Sequence, residues 1–284
     1  MAYSLSWGRQ HPGHLVYIVD LSGSMQGQPL TQLLDVLYQV SESLVDNNLD
    51  ENGDVMERFT LTIIGYNSDV MVLKENMRLA ELEELVYQVR SSGRPLLDVK
   101  AQWQTYTAAA YRAAAADIRK WIAAQQAKGV KTPAPVVIHI TDGEPYEAER
   151  SQDAAIADAL KAAGELKAIS TPDGNTLLFN IHIAPKGTTS RFLSTPPSDR
   201  QRRFLYDASS VMDDAFARRA KVALSEFRSN GVDLDAIRAG SRFMVSNETN
   251  KNILVQLIVF GSTVSGGGTA PQGGNPLEPP KPRS

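Results

Sequence analysis

The run Leu15-Val16-Tyr17-Ile18-Val19 is apolar at every position and ends directly in Asp20-Leu21-Ser22-Gly23-Ser24. A strand with no polar alternation needs cover on both faces, which is the setting of a parallel sheet between layers of helices. The same pattern returns at Pro135-Val136-Val137-Ile138-His139-Ile140, ending in Thr141-Asp142-Gly143. Helical spacing separates the two: Leu30, Leu33, Leu34, Leu37, Leu44 and Val45 follow Pro29, and an alanine-rich helix is expected from about Thr105 to Gln126. Strands alternating with helices predict an α/β fold: a doubly wound, mostly parallel sheet with helices on both faces. Ligands of such sheets bind outside the carboxyl ends of the strands, where both Asp20 and Asp142 fall.

Other segments fill in the plan. Phe59–Tyr66 and Val70–Leu73 flank Asn67-Ser68-Asp69 and read as a hairpin, giving one antiparallel edge strand. Short helices are expected at Leu79–Val89 and around Ile156–Ala163, and a strand at Leu177–Ala184. Ser210–Phe227 reads as a helix with Ser210 and Asp213 in capping positions. Ile253–Phe260 fits either strand or helix. The predicted organisation is an N-terminal extension (1–13), the main domain (14–225), a C-terminal extension packed on it (226–262) and a disordered Gly/Pro-rich tail (263–284).

Composition removes several function classes. The 284-residue chain has a net charge of -3 with both signs interspersed, so no nucleic-acid footprint is expected. It contains no cysteine, which excludes disulfides, thiolate metal sites and cysteine nucleophiles and favours a cytoplasmic setting. The N-terminal residues carry no apolar signal region, and no stretch approaches a membrane span. P-loop, nucleophile-elbow and H-E-x-x-H motifs are missing. A phosphatase that places a nucleophilic Asp after its first strand needs a second Asp two positions on, and this chain has Ser22 there.

The loop Asp20–Ser24 combines a carboxylate with hydroxyls at alternate positions. A tight turn can aim Ser22 and Ser24 at one point, which Asp20 reaches directly or through water. Asp142 arrives from the neighbouring strand. Gln104-Thr105-Tyr106-Thr107, ahead of the alanine-rich helix, offers a third loop. This oxygen donor set suits a small hard cation such as Mg²⁺, with Mn²⁺ or Ca²⁺ as alternatives. If hydroxyls dominate the shell, the metal keeps most of its charge and attracts an outside carboxylate.

Asp20-x-Ser22-x-Ser24, a distant threonine and Asp142 resemble the metal-ion-dependent adhesion site of von Willebrand factor A domains, whose fold is Rossmann-like. The resemblance covers roughly residues 14–262. It implies Ser22, Ser24 and Thr105 as direct ligands, and Asp20 and Asp142 as direct or water-mediated ones. Thr105 is taken over Thr107 because the family threonine usually lies a few residues before the helix proper. The chain departs from the family at Trp103-Gln104, where glycines are usual. Asp142-Gly143-Glu144-Pro145 and Arg242–Asn247 resemble bacterial cytosolic members associated with tellurium resistance. That likeness implies a non-catalytic module whose protein partner donates Asp or Glu, in a stress-response setting with a Ser/Thr kinase or phosphatase. A metal-dependent hydrolase or phosphatase and an adaptor of an AAA-type ATPase are the alternatives.

The remaining conspicuous residues have plainer readings. His139 and His182 lie in apolar strands as core histidines, while His11 and His14 belong to a mobile N-terminus. Trp121 sits next to the apolar stripe of the alanine-rich helix and reads as partly buried packing. Trp103 either anchors a partner or packs under its loop. Glu144 is an exposed loop carboxylate, and Arg200, Arg202 and Arg203 form a solvated basic loop. The Pro-rich end of the tail, Pro276–Pro282, could dock an aromatic groove.

Overall fold

A computed structural model describes residues 3–183 and 189–263. Thr263, expected to begin the tail, is the last residue of a helix; the rest of the proposed tail and Ala184 lie outside the described residues.

Strand β1 (Gly13–Asp20) lies inside the sheet, with a paired strand on each side, and is buried along its whole length. It is followed by α1 (Gln28–Asp46), β2 (Phe59–Tyr66), β3 (Val70–Arg78), α2 (Leu79–Ser92), α3 (Thr107–Ala127) and β4 (Val136–Thr141). Next come α4 (Gln152–Lys167), a small hairpin of β5 (Ser170–Thr171) and β6 (Gly174–Asn175), β7 (Leu177–His182) and β8 (Ser190–Arg191). The chain closes with α5 (Arg200–Ala208), α6 (Asp214–Ala223), β9 (Met244–Ser246) and α7 (Lys251–Thr263). The described residues form a seven-stranded sheet of order β3-β2-β1-β4-β7-β9-β8. Strands β2, β1, β4, β7 and β9 run parallel. The expected antiparallel edge strand is β3; a second, two-residue antiparallel strand, β8, closes the opposite edge.

Alternation along β1 assigns each side chain to a layer. Leu15, Tyr17 and Val19 face a core completed by α1, α2, α6 and α7. Val16 and Ile18 face a second core built with α3, α4 and α5. Strand order reverses between β1 and β4, so the crevice of a doubly wound sheet opens where Asp20 and Asp142 stand.

Several local expectations change. Arg200, Arg202 and Arg203 are helical in α5, started by Asp199, whose carboxylate accepts from the Arg202 N–H at 2.9 Å. Each of these arginines is ion-paired: Arg200 with Glu144 and Asp153, Arg202 with Asp199, Arg203 with Asp207. Glu144 is accordingly half-buried rather than free. Ser210 caps nothing; its hydroxyl accepts from the Leu178 N–H of β7 at 2.9 Å. Asp213 alone caps α6, accepting from the Phe216 N–H at 2.7 Å, and the helix ends at Ala223 before a 3-10 turn. Ile253–Phe260 is helical, inside α7.

The N-terminal residues are packed. His14 is fully buried in β1, bonded to Thr60 Oγ1 at 2.9 Å and to Asp117 Oδ2 at 2.8 Å, and its ring stacks on Trp121. Ser4 and Leu5 donate their N–H groups to the Asp173 carboxylate, and Trp7 leans on Phe59.

Candidate metal centre

Asp20 is the last residue of β1 and is completely buried. Its Oδ1 accepts from the Ser22 N–H at 2.8 Å, which turns the chain sharply out of the strand. Its Oδ2 accepts from the Thr141 hydroxyl at 2.5 Å, tying β1 to the end of β4. Buried Met25 pins the far side of the loop, within a single 3-10 turn over Gly23–Met25. The turn holds the Ser22 and Ser24 hydroxyl oxygens 3.1 Å apart, and Ser24 Oγ donates to Asp142 Oδ1 at 2.8 Å. Asp20, Ser22, Ser24 and Asp142 are thus one continuous polar cluster. It grades from buried Asp20 and Ser22 to exposed Ser24, so it opens to solvent on one side.

The third loop is clamped between the other two. Gln102 N–H donates to Leu21 O at 2.8 Å, and Gly23 N–H to Trp103 O at 2.9 Å. Thr105 and Tyr146 exchange backbone hydrogen bonds at 2.9 and 3.1 Å, joining the loop to the segment after Asp142. Among the described residues the Thr105 hydroxyl has no hydrogen-bond partner, and none ties it to the serines. Thr107 starts α3 and turns its hydroxyl inward to the Tyr66 phenol. Between the two threonines, Thr105 therefore has the hydroxyl free for a ligand.

Electrostatics inside the cluster are unfavourable to two bare carboxylates. Burial raises the Asp20 carboxyl above its ordinary value, opposed by hydrogen bonds from Thr141, Ser22 and Tyr66. Burial and then the Asp20 charge push Asp142 up to about 6. A cation between them would reverse the second cause. Among the described residues no three His, Cys, Asp or Glu side chains gather around one point, so any metal here depends on hydroxyl donors. The spacing suits that. Oxygens on neighbouring corners of an octahedron with bonds of about 2.1 Å lie about 3.0 Å apart, close to the 2.8 and 3.1 Å found here.

Sequence reading missed the support beneath the cluster. Thr141, Tyr66 and His139 form a buried polar chain: the Tyr66 hydroxyl bonds His139 Nε2 at 2.8 Å, and His139 Nδ1 meets Tyr111 OH at 2.9 Å and Asn180 Oδ1 at 2.8 Å. Burial drives His139 down to about 4, so it serves as a neutral core residue, as expected for that position. His182 bonds Ser246 Oγ and the Asp142 carbonyl, linking β9 to the site loop. Thr141 was findable, because a polar residue closes an otherwise apolar strand just before Asp142.

No protein-family model matches the chain, and no curated protein matches its sequence. Solved structures do. The pilus adhesin SpaC from Lactobacillus rhamnosus GG, in its open conformation, matches 92% of this chain and 31% of its own at 12% identity, with a TM-score of 0.50. Manganese-loaded TRAP protein from Plasmodium vivax matches 62% of this chain and 59% of its own at 19% identity and TM-score 0.39. The ArnB paralog VWA2 from Sulfolobus acidocaldarius matches 61% of this chain and 35% of its own at 17% identity and TM-score 0.35. The chain spans less than two thirds of each of these proteins. The likeness is one of fold: the chain shares with the SpaC adhesin a Rossmann-like α/β fold, the architecture that the motif resemblance implies.

Proposed function

We propose that this chain is a non-catalytic, divalent-metal-dependent protein-interaction module. Ser22, Ser24 and Thr105 bind the ion through hydroxyls, and Asp20 and Asp142 complete the shell directly or through water. Mg²⁺ is the expected ion, with Mn²⁺ as its nearest substitute. A bound ion supplies an attachment point for a carboxylate from outside, so the partner is a protein presenting Asp or Glu. The observation that carries the reading is the Asp20–Ser22–Ser24–Asp142 cluster at adjoining strand ends, buried at its base and open above.

Asp142, raised to about 6, would suit a general base if it stood alone. Burial is the first cause of its shift and the Asp20 charge the second, and an ion bound between the two carboxylates would remove the second and bring the group down again. Among the described residues no helix is long and apolar enough to cross a membrane. The proposed setting is cytoplasmic, with a Ser/Thr kinase, phosphatase or related stress-response complex as the class of partner.

The test is a parallel affinity capture from the native host with wild type and Asp20→Ala, each in Mg²⁺ and in EDTA. Specific proteins retained by wild type in Mg²⁺, released by EDTA and missing from Asp20→Ala are the expected outcome. Equal retention in EDTA would contradict the reading.

A further inference from the structure

Trp103 combines two features that the fold does not require. Its backbone lies in the left-handed region, at φ 68°, which strains a bulky side chain. Its side chain is 69% exposed, so burial of the indole offsets little of that strain. The backbone around it is nevertheless held firmly. Trp103 O accepts from Gly23 N–H at 2.9 Å, between the two site serines. A Cβ at Gly23 would meet that oxygen at 3.3 Å, so the approach is close. Next along the chain, Gln104 N–H donates to Ser68 Oγ at 3.2 Å, and Gln104 Oε1 accepts from Ala148 N–H at 2.7 Å. A rigid loop thus presents a large aromatic face directly beside the Ser22–Ser24 turn. Tyr146, 52% exposed, stands on the loop that follows Asp142. Among the described residues these are the large apolar side chains exposed on the site loops.

We propose that Trp103 is the specificity-determining residue of this surface, packing its indole on an apolar side chain next to the partner's metal-binding carboxylate. The inference rests on the metal-dependent reading above. It narrows the partner from any exposed Asp or Glu to an acidic residue with an aliphatic, proline or aromatic neighbour. Aromatic anchors of this kind dominate binding where they are presented rigidly, because little side-chain freedom is lost on contact. The carboxylate supplies attachment, and the indole supplies choice among carboxylates.

The experiment uses an array of synthetic peptides with a central Asp or Glu flanked by Leu, Pro, Phe, Ser or Lys. It is probed in Mg²⁺ and in EDTA with the full chain as wild type, Trp103→Ala and Trp103→Gly. Wild type is expected to bind apolar-flanked peptides about tenfold tighter than Ser-flanked ones, a typical effect of one aromatic anchor. Both variants are expected to keep Mg²⁺-dependent binding of the Ser-flanked peptides and to lose the preference. Trp103→Gly, free of backbone strain, is expected to melt no lower than wild type. An unchanged preference in Trp103→Ala, no preference in wild type, or a Trp103→Gly midpoint several degrees below wild type each overturns the inference while leaving metal-dependent binding intact. Wild type that binds no peptide in Mg²⁺ overturns both the inference and the reading beneath it.

Discussion

Asp20 serves the site at the expense of the fold. It is a fully buried carboxylate whose partners are hydroxyls and one backbone N–H, and among the described residues no cationic side chain bonds it. Asp20→Asn keeps the shape and the bond from the Ser22 N–H, and the Thr141 hydroxyl can turn to its second acceptor, Gly143 O, at 3.2 Å. The metal-free Asp20→Asn protein should therefore be more stable than wild type by about 1 kcal/mol or more, because a buried charge has gone. It should also lose its response to Mg²⁺. Chemical unfolding in EDTA and in Mg²⁺ reads both effects; a variant less stable than wild type in EDTA would show that the charge supports the fold. His139 has the opposite pH signature from a raised carboxyl. Its folded value of about 4 lies below the ordinary 6.5. Its contribution is complete above pH 6.5 and is lost as the pH falls towards 4, at about 1.4 kcal/mol per unit. Between pH 6.5 and 5, wild type should lose about 2 kcal/mol more stability than His139→Gln. Equal losses in urea titrations would assign the acid sensitivity to other groups.

At the scale of elements, what could be read depended on how far the signal was local. Strands β1 and β4 were legible because an apolar run with no polar alternation has few other uses, and β2 because a three-residue turn sets it against β3. Helix α5 was not: Arg200, Arg202 and Arg203 read as a solvated loop, and its apolar face rests on Phe204, Leu205 and Tyr206, too short a stripe to show periodicity. Ser210 looked like a cap because a serine near a helix start usually is one, and only the position of β7 reveals its bond to Leu178. Strand β9 is three residues long and takes its pairing from β7, distant in sequence. Helix α7 was ambiguous for the same reason of length, and the sheet beneath it decides. Gly261 of α7 lies so close to the sheet that a Cβ would press into the Phe179 ring and meet Ile138 Cδ1 at 3.0 Å. Gly261→Ala gains about 1 kcal/mol in helix propensity and loses about 1–3 kcal/mol to overpacking. The expected net result is a lower melting midpoint, and a clearly higher one would contradict the packing described for α7.

Across the whole molecule, the site depends on sheet order more than on any loop alone. Asp20 and Asp142 lie far apart in sequence, yet β1 and β4 pair in register from Leu15↔Val136 to Val19↔Ile140, which sets their loops side by side. That convergence was legible because both carboxylates follow buried strands. The support from Tyr66 and His182 was not, since it depends on register between neighbouring strands. The described residues from Met244 to Thr263 are part of the same body: β9 pairs with β7, α7 joins the core that includes α1, and His182 couples Ser246 to the Asp142 carbonyl. A chain ended at residue 225 should therefore lose the single sharp unfolding transition of the full chain, and a truncated protein that still melted sharply would show the core to be separable. The central claim is that three loops make one divalent-cation site. Calorimetric titration of Mn²⁺ into wild type and Asp20→Asn tests it most directly. One saturable site in wild type, weakened at least tenfold or absent in Asp20→Asn, is the predicted result; equal binding by the two proteins, or none by wild type, would contradict it.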